Sequence, residues 1–244
     1  MLNELSRLEL LLEKEQIDKI KSTRVVVFGL GGVGGYVIES LARSGFSDFV
    51  LIDNDTFSIT NLNRQILSTH ESVGRKKTEV AKERILAINP NAKVEIHDCF
   101  YLPETKDEFD FSEYDYVVDA IDTVTGKISI IEECSKKNVK VISSMGCGNR
   151  FDPSKLKLAD ISKTSMDPLA KVMRRELKKR KIYHCPVLFS LEKPHKPLEC
   201  KGEIKENPLR RSTPGSSAFV PSVGGIMIAY WIFKDVTGVE EPTC

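Results

Sequence analysis

A run of apolar residues that leads directly into closely spaced glycines constrains this chain more than any other feature. Residues 25–28 are three valines and a phenylalanine, and Gly29, Gly31, Gly32 and Gly34 follow at once. A strand that turns through glycines into a helix lets the backbone approach a phosphate, which the free N–H groups at the helix N-terminus stabilise. The run therefore predicts a nucleotide site, although an ordinary tight turn is the alternative.

Strand and helix patterns alternate through the first two thirds of the chain. We expect an N-terminal helix within residues 1–22, strands at 24–28, 48–53, 93–97, 115–119 and 139–144, and helices at 33–44, 75–88 and 125–137. This alternation predicts an α/β, Rossmann-like fold with a doubly wound, mainly parallel sheet. Ligands of such sheets bind beyond the carboxyl ends of the strands.

The pattern changes after residue 148. Segments 156–161 and 187–192 are expected to extend the sheet, and 168–181 is expected to be a basic helix. Residues 193–217 contain four prolines and little apolar sequence, which predicts a mobile crossover loop. Neither an internal repeat nor a domain linker is evident, so residues 1–244 are interpreted as a single domain.

Composition and charge exclude several classes of protein. The 36 basic and 35 acidic residues leave a net charge of +1, so any RNA contact must come from a local patch. Six cysteines without a CxxC pair indicate reduced thiols, and the acidic N-terminus is unlike a signal peptide, so we expect a cytoplasmic protein. Residues 218–233 are apolar but shorter than the roughly 20 residues that span a bilayer, which argues against stable membrane insertion.

Polar residues after the strands favour a triphosphate over a dinucleotide. Asp53 ends the second strand, where a carboxylate can accept hydrogen bonds from a ribose. Arg64 and Lys77 supply cations suited to β- and γ-phosphates. Asp122 follows the fourth strand and suits Mg²⁺, which is typically held by one or two carboxylates and phosphate oxygens.

The motifs at 29–34, 52–55, 61–65, 74–77 and 119–122 stand in the order seen in the ubiquitin-activating-enzyme-like superfamily. Residues 5–150 resemble that superfamily, whose members adenylate a carboxylate with ATP. The resemblance implies an ATP site formed by Gly31, Gly32, Gly34, Asp53, Asp55, Asn61, Arg64, Lys77 and Asp122. It also implies that Arg7 reaches into the ATP site of a partner subunit, and therefore a homodimer. The alternative for both Asp55 and Arg7 is a solvated surface residue.

The C-terminal half is similar to one branch of the superfamily, the tRNA-modifying dehydratases, at residues 141–149, 159–170, 173–177 and 214–223. The resemblance implies that the activated carboxylate belongs to N6-threonylcarbamoyladenosine beside the tRNA anticodon. The carbamoyl oxygen then closes on that carboxylate and gives a cyclic oxazolone with loss of water. The alternative is adenylation of a ubiquitin-like sulfur-carrier protein, a branch that usually has two CxxC pairs, which are absent here.

Residues 171–181 carry seven cations and one acid, a pattern that attracts an RNA backbone but also occurs on merely solvated helix faces. The candidate tRNA contacts are Lys171, Arg174, Arg175, Lys178 and Lys179. Cys147 is a lone cysteine of a kind that is usually a small buried apolar residue. The sequence leaves open which tRNAs are used, whether a cysteine desulfurase or other sulfur-relay protein docks, and whether a monovalent cation binds.

Overall fold

Seven strands form a single sheet in the computed structural model, which describes residues 2–198 and 214–239. The strands are β1 (Arg24–Phe28), β2 (Asp48–Ile52), β3 (Lys93–His97), β4 (Tyr116–Asp119), β5 (Lys140–Ser144), β6 (Leu156–Asp160) and β7 (Pro186–Ser190). The helices are α1 (Lys14–Ser22), α2 (Gly34–Arg43), α3 (Lys77–Ile88), α4 (Val124–Lys137), α5 (Pro168–Lys179) and α6 (Phe219–Thr237).

The strand order is β3-β2-β1-β4-β5-β7-β6, and every pairing is parallel except that of β6 with β7. This order confirms the predicted Rossmann-like, doubly wound sheet with a C-terminal extension. Strands β2 and β3 lie on one side of β1, and β4 begins the other half of the sheet on its opposite side, so the strand order reverses between β1 and β4. A ligand crevice is therefore expected beyond the carboxyl ends of these two strands.

Alternate residues of β1 enter two different cores. Val25 and Val27 pack with α2 and α6 on one face, whereas Val26 and Phe28 pack with α4 on the other. Because helices cover both faces of the sheet, a central strand has no solvated side. This burial explains why β1 is an unbroken apolar run instead of an alternating one.

The N-terminal segment corrects the expectation of one helix within residues 1–22. A short 3₁₀ turn spans Leu8–Leu10, and α1 begins only at Lys14. Glu13 adopts an extended conformation (φ −71°, ψ 156°), and its N–H donates to Gln16 Oε1 at 2.8 Å, which caps the new helix. Leu11, an apolar residue between these two segments, is 80% exposed. The apolar spacing predicts a single helix because it continues across Glu13, where the backbone leaves the helical conformation.

Within residues 2–198 and 214–239, helix α6 is the one helix long and apolar enough to cross a membrane. Ile228 and Ile232 on this helix are fully buried in the core. Gly225 lies so close to α2 that a Cβ atom would fall 2.4 Å from the Val33 carbonyl oxygen. Helix α6 thus packs as a core helix against α2.

The expected crossover loop at 193–217 can be compared only in part. Residues 193–198 and 214–217 have no regular secondary structure, and residues 199–213 lie outside the described part of the chain.

Gly34, the first residue of α2, sets the approach of this helix to the turn after β1. A Cβ atom at Gly34 would lie 1.8 Å from the Gly29 carbonyl oxygen, which is backbone and cannot rotate away. At Gly31 the nearest heavy atom would be Gln65 Nε2, at 3.9 Å. Gly34 therefore serves helix–strand packing, while Gly31 leaves open space above the turn.

Gly34→Ala should lower the free energy of unfolding by about 2 kcal/mol or more, because α2 must move away from the sheet. Gly31→Ala is the matched control and should change it by less than about 0.5 kcal/mol. Urea unfolding of both variants measures the difference. Equal unfolding free energies would contradict this account of the turn.

Candidate active site

A cleft with a volume of about 470 Å³ opens beyond the carboxyl ends of β1, β2 and β4. That volume lies within the range of ligand pockets for small molecules and cofactors. Eight of the predicted site residues line it: Gly31, Gly32, Asp53, Asp55, Asn61, Arg64, Lys77 and Asp122. Two do not. Gly34 lies behind the turn, and Arg7 is exposed on the N-terminal segment, outside the cleft of its own chain.

Asp53 follows the last residue of β2 and is buried against the glycine turn. Its Oδ2 accepts a hydrogen bond from the Leu30 N–H at 2.7 Å, and its Oδ1 accepts one from the Asp55 N–H at 2.8 Å. Burial raises the pKa of Asp53 above its ordinary value, and the nearby Lys77 ammonium and the two N–H donors oppose that rise. The carboxylate thus holds the turn as well as facing the cleft.

Lys77 and Lys76 are adjacent in sequence but occupy different environments. The Lys77 side chain is 7% exposed, and its Nζ lies 2.8 Å from Asp55 Oδ2 and 3.8 Å from Asp53 Oδ1. Lys76 is 40% exposed and pairs with Asp98. Lys77 is also the first residue of α3, so its charge adds to the positive end of the helix dipole. Of the two lysines, only Lys77 lines the cleft.

Asn61 and Arg64 form another wall of the cleft, on a short 3₁₀ turn and the residues after it. Asn61 is buried, and its Oδ1 accepts a hydrogen bond from the Ser58 N–H at 3.1 Å. Arg64 is half-buried and donates from Nη1 to the Thr60 carbonyl oxygen at 2.8 Å. Asn63 Nδ2 donates to the Ser216 carbonyl oxygen at 2.9 Å, which joins this wall to the segment before α6.

A buried ion pair joins the end of β4 to α4, on either side in sequence of Asp122, which is itself exposed. Lys127 Nζ lies 3.1 Å from both carboxylate oxygens of Asp119, and both side chains are fully buried. Lys127 also donates to the Ser144 carbonyl oxygen at 2.7 Å, and Ser143 Oγ donates to Asp119 Oδ2 at 2.5 Å. The ends of β4 and β5 are thereby tied to α4.

The sequence motifs predict no role for Lys127. One feature of the sequence could have indicated a role: Lys127 stands among apolar residues of α4, and a lysine buried among them requires an anionic partner. Its partner comes from the preceding strand, and no helix or strand period predicts that pairing.

Two further residues of the cleft were also missed. Gln65 lines the cleft and is 6% exposed, and its Oε1 has no hydrogen-bond partner among the described residues. The same holds for Oγ1 of Thr123, which is half-buried at the start of α4. Buried polar atoms normally have a hydrogen-bond partner. Because these two atoms have none among the described residues, they are candidates to bind a polar ligand in the cleft.

Cys147 lines the cleft as well, beyond the end of β5. Burial raises the pKa of its thiol, and its Sγ lies 3.8 Å from Ser144 Oγ. A raised pKa keeps the sulfur protonated and poorly nucleophilic near neutral pH.

The basic helix α5 shows most of its cations to solvent. Lys171, Arg175, Lys178 and Lys179 are exposed. Arg174 is half-buried, and its Nη1 donates to the Thr164 carbonyl oxygen at 2.8 Å, so it also holds the preceding loop. The positive surface of the helix is therefore built mainly from the other four side chains.

The fold and the cleft define a nucleotide-binding protein of the Rossmann-like α/β class. The model of the ThiF family matches residues 4–244, and this chain belongs to that family.

Several characterised proteins are similar over almost the whole chain. A tRNA threonylcarbamoyladenosine dehydratase of Bacillus subtilis (strain 168) is 41% identical over 245 residues, which cover 97% of this chain and 95% of that protein. A crystal structure of the E. coli tRNA N6-threonylcarbamoyladenosine dehydratase in complex with ATP superposes with a TM-score of 0.86 at 29% identity, covering 96% of this chain and 94% of that chain. A complex of the same enzyme with AMP gives 0.84.

Proposed function

We propose that this chain is an ATP-dependent dehydratase that cyclises N6-threonylcarbamoyladenosine in tRNA. The observation that carries the proposal is the cleft itself, where the buried Lys77 and the half-buried Arg64 face a glycine turn at the end of β1. A relative named for this activity matches 97% of the chain, and the related E. coli enzyme has been crystallised with ATP and with AMP. Activity on tRNA supports a cytoplasmic location.

The reaction has two steps. The threonyl carboxylate attacks the α-phosphorus of ATP, pyrophosphate leaves, and an acyl-adenylate forms. The carbamoyl oxygen then attacks the activated carbonyl carbon, AMP leaves with the carboxylate oxygen, and the nitrogen-bound proton is lost. Both steps depend on positioning and on neutralising phosphate charge, which suits the cations Arg64 and Lys77. Neither step requires an enzyme thioester, in accord with the protonated state of Cys147.

Mg²⁺ is part of the proposal, with Asp122 as its protein ligand. Asp122 is exposed in the cleft, and the described residues contain no group of three or more His, Cys, Asp or Glu side chains that could enclose a metal. One carboxylate fits Mg²⁺, because this ion is usually held by one or two carboxylates together with substrate phosphates and water. When bound, it would supply positive charge to the phosphate oxygens.

The alternative substrate is the C-terminus of a sulfur-carrier protein. It would use the same ATP chemistry but would leave the exposed cations of α5 without a partner. A sulfur-relay protein has no place in the proposed reaction, because neither step consumes sulfur.

The decisive experiment incubates the full chain with ATP and tRNA that carries N6-threonylcarbamoyladenosine, followed by mass spectrometry of the nucleosides. We expect ATP-dependent loss of one water from the modified nucleoside. An unchanged nucleoside, with adenylation of a carrier protein instead, would favour the alternative.

Lys77→Ala should lower ATP turnover by at least about tenfold, which corresponds to about 1.4 kcal/mol at the transition state. Lys76→Ala is the matched control, because that lysine is exposed and paired with Asp98 outside the cleft. It should retain turnover within about twofold. Circular dichroism checks that both variants are folded. Equal losses of turnover in the two variants would contradict the assignment of Lys77 to the triphosphate site.

A homodimer is the second element of the proposal, with Arg7 contributing to the ATP site of the partner. Arg7 is exposed and does not line the cleft of its own chain, as expected of a residue that acts on the partner's nucleotide.

Mixing inactive Arg7→Ala with inactive Asp122→Ala should restore partial activity, because each mixed dimer contains one site with both residues intact. Activity is measured after subunit exchange, which is followed by labelled chains. Demonstrated exchange without recovery would place Arg7 outside the partner's site.

Helix α5 is proposed to contact tRNA phosphates through its exposed cations, with Arg174 contributing from its half-buried position. The double variant Lys178→Ala/Lys179→Ala should weaken tRNA binding and lower the log–log salt slope by about 0.7 to 0.9 for each phosphate that it no longer neutralises. The matched control is Lys19→Ala/Lys21→Ala on α1, which removes the same charge from another helix. Binding curves at several salt concentrations compare the two variants. Identical slopes would show that α5 is only a solvated face.

A further inference from the structure

The rim of the cleft carries an exposed pair of rings that the adenylation chemistry does not use. Phe151 is 64% exposed. Its ring lies 5.2 Å from the His195 ring, with an interplanar angle of 67°. Because His195 meets Phe151 edge to face, the contact leaves much of the phenyl ring accessible.

A hydrogen-bonded framework holds both rings in place. The N–H groups of Phe151 and Asp152 donate to the Glu192 carboxylate at 3.1 and 2.9 Å. The same carboxylate lies 3.0 Å from His195 Nε2. The His195 N–H donates to the Asn149 carbonyl oxygen at 2.8 Å. One carboxylate therefore joins the two segments that bear the rings, so their positions are built into the fold.

The ring pair lies next to the cleft. Gly148 lines the cleft, and Phe151 follows three residues later, which limits the backbone separation to about 11 Å. The Asn149 N–H donates to the Gly215 carbonyl oxygen, and the Gly215 N–H donates to Asn149 Oδ1, both at 2.7 Å. Gly215 stands between two residues that line the cleft, so this wall and the ring pair form one unit.

The charges around the rings favour a nucleic acid over another protein. Lys193 and Lys196 flank His195 and are exposed. The Glu192 carboxylate is only 13% exposed and is occupied by its hydrogen bonds. A rigid aromatic ring beside cations is the surface on which unpaired RNA bases stack.

We propose that Phe151, supported by His195, stacks on an unpaired base of the tRNA anticodon loop while the threonylcarbamoyl group of the modified adenosine reaches the ATP in the cleft. The inference rests on the proposed tRNA substrate. The reacting carboxylate is attached to its adenine by the short threonylcarbamoyl group, so the loop bases beside that adenine must lie near the rim. Phe151 then positions the loop without reading its sequence, because every base has a face on which to stack.

The test measures binding of an anticodon stem-loop RNA that carries N6-threonylcarbamoyladenosine to the full chain. Phe151→Ala and Phe151→Leu should both weaken binding by about tenfold, since leucine keeps apolar bulk but lacks the ring face. Phe151→Tyr should bind within about twofold of the parent. The salt slope should stay unchanged in all three, unlike that of the α5 double variant. ATP affinity should also be unchanged.

Two controls identify the contact. Tyr230→Ala removes another exposed aromatic ring, 47% exposed on α6 and away from the cleft, and should bind the RNA as the parent does. In a series of RNAs that each carry one abasic site in the loop, the RNA that lacks the stacked base should bind the parent more weakly than the intact RNA does. That same RNA should bind the parent and Phe151→Ala with equal affinity.

Parent-like RNA affinity of Phe151→Ala would overturn the stacking proposal and leave the proposed function intact. An equal loss in Phe151→Tyr, or a changed oligomeric state in any Phe151 variant, would assign the ring to packing or a subunit contact and would overturn it too. A parent chain that neither binds nor converts the modified RNA would overturn the proposed function, and the stacking site with it.

Discussion

The buried carboxylate of Asp53 is the contact on which the nucleotide end of this protein depends. It accepts hydrogen bonds from Leu30 in the glycine turn and from Asp55 in the next loop, and it lies 3.8 Å from the Lys77 ammonium. One side chain thus joins the ends of β1 and β2 to the start of α3. Burial raises its pKa, so the fold accepts an ionisable group where an apolar one would pack more easily. This placement suits a functional group more than a structural one.

A second polar framework supports the opposite side of the cleft. Arg150 is almost fully buried, and its Nη2 lies 3.1 Å from Oδ2 of Asp167, the residue that caps the N-terminus of α5. Its Nε donates to the Glu192 carbonyl oxygen at 3.1 Å, and its Nη1 donates to that of Gly146. The loop after β5, the ring pair and the basic helix are therefore held by one guanidinium. In the proposed function, this couples the surface that binds RNA to the cleft that binds ATP.

Local patterns predicted most elements well. The expected strands at 24–28 and 93–97 agree with β1 and β3, because an apolar run in β1 and an apolar–polar alternation in β3 are both short-range signals. The same approach failed at the N-terminus, where Glu13 and Gln16 start a new helix inside an apolar pattern that continues across the break. A period in hydrophobicity reports which side chains face the core, and it does not report whether the backbone between them stays helical.

The sequence by itself determined the class of fold and indicated the residue types of the proposed nucleotide site, because the glycine turn, Asp53, Arg64 and Lys77 lie within short motifs tied to the ends of predicted strands. Only the tertiary structure decided that Lys127 pairs with Asp119 and that Phe151 stands beside His195 at the rim. Each of these depends on a contact between different segments of the chain that the fold brings together. Such contacts follow from how helices and strands pack together, and no local pattern records them.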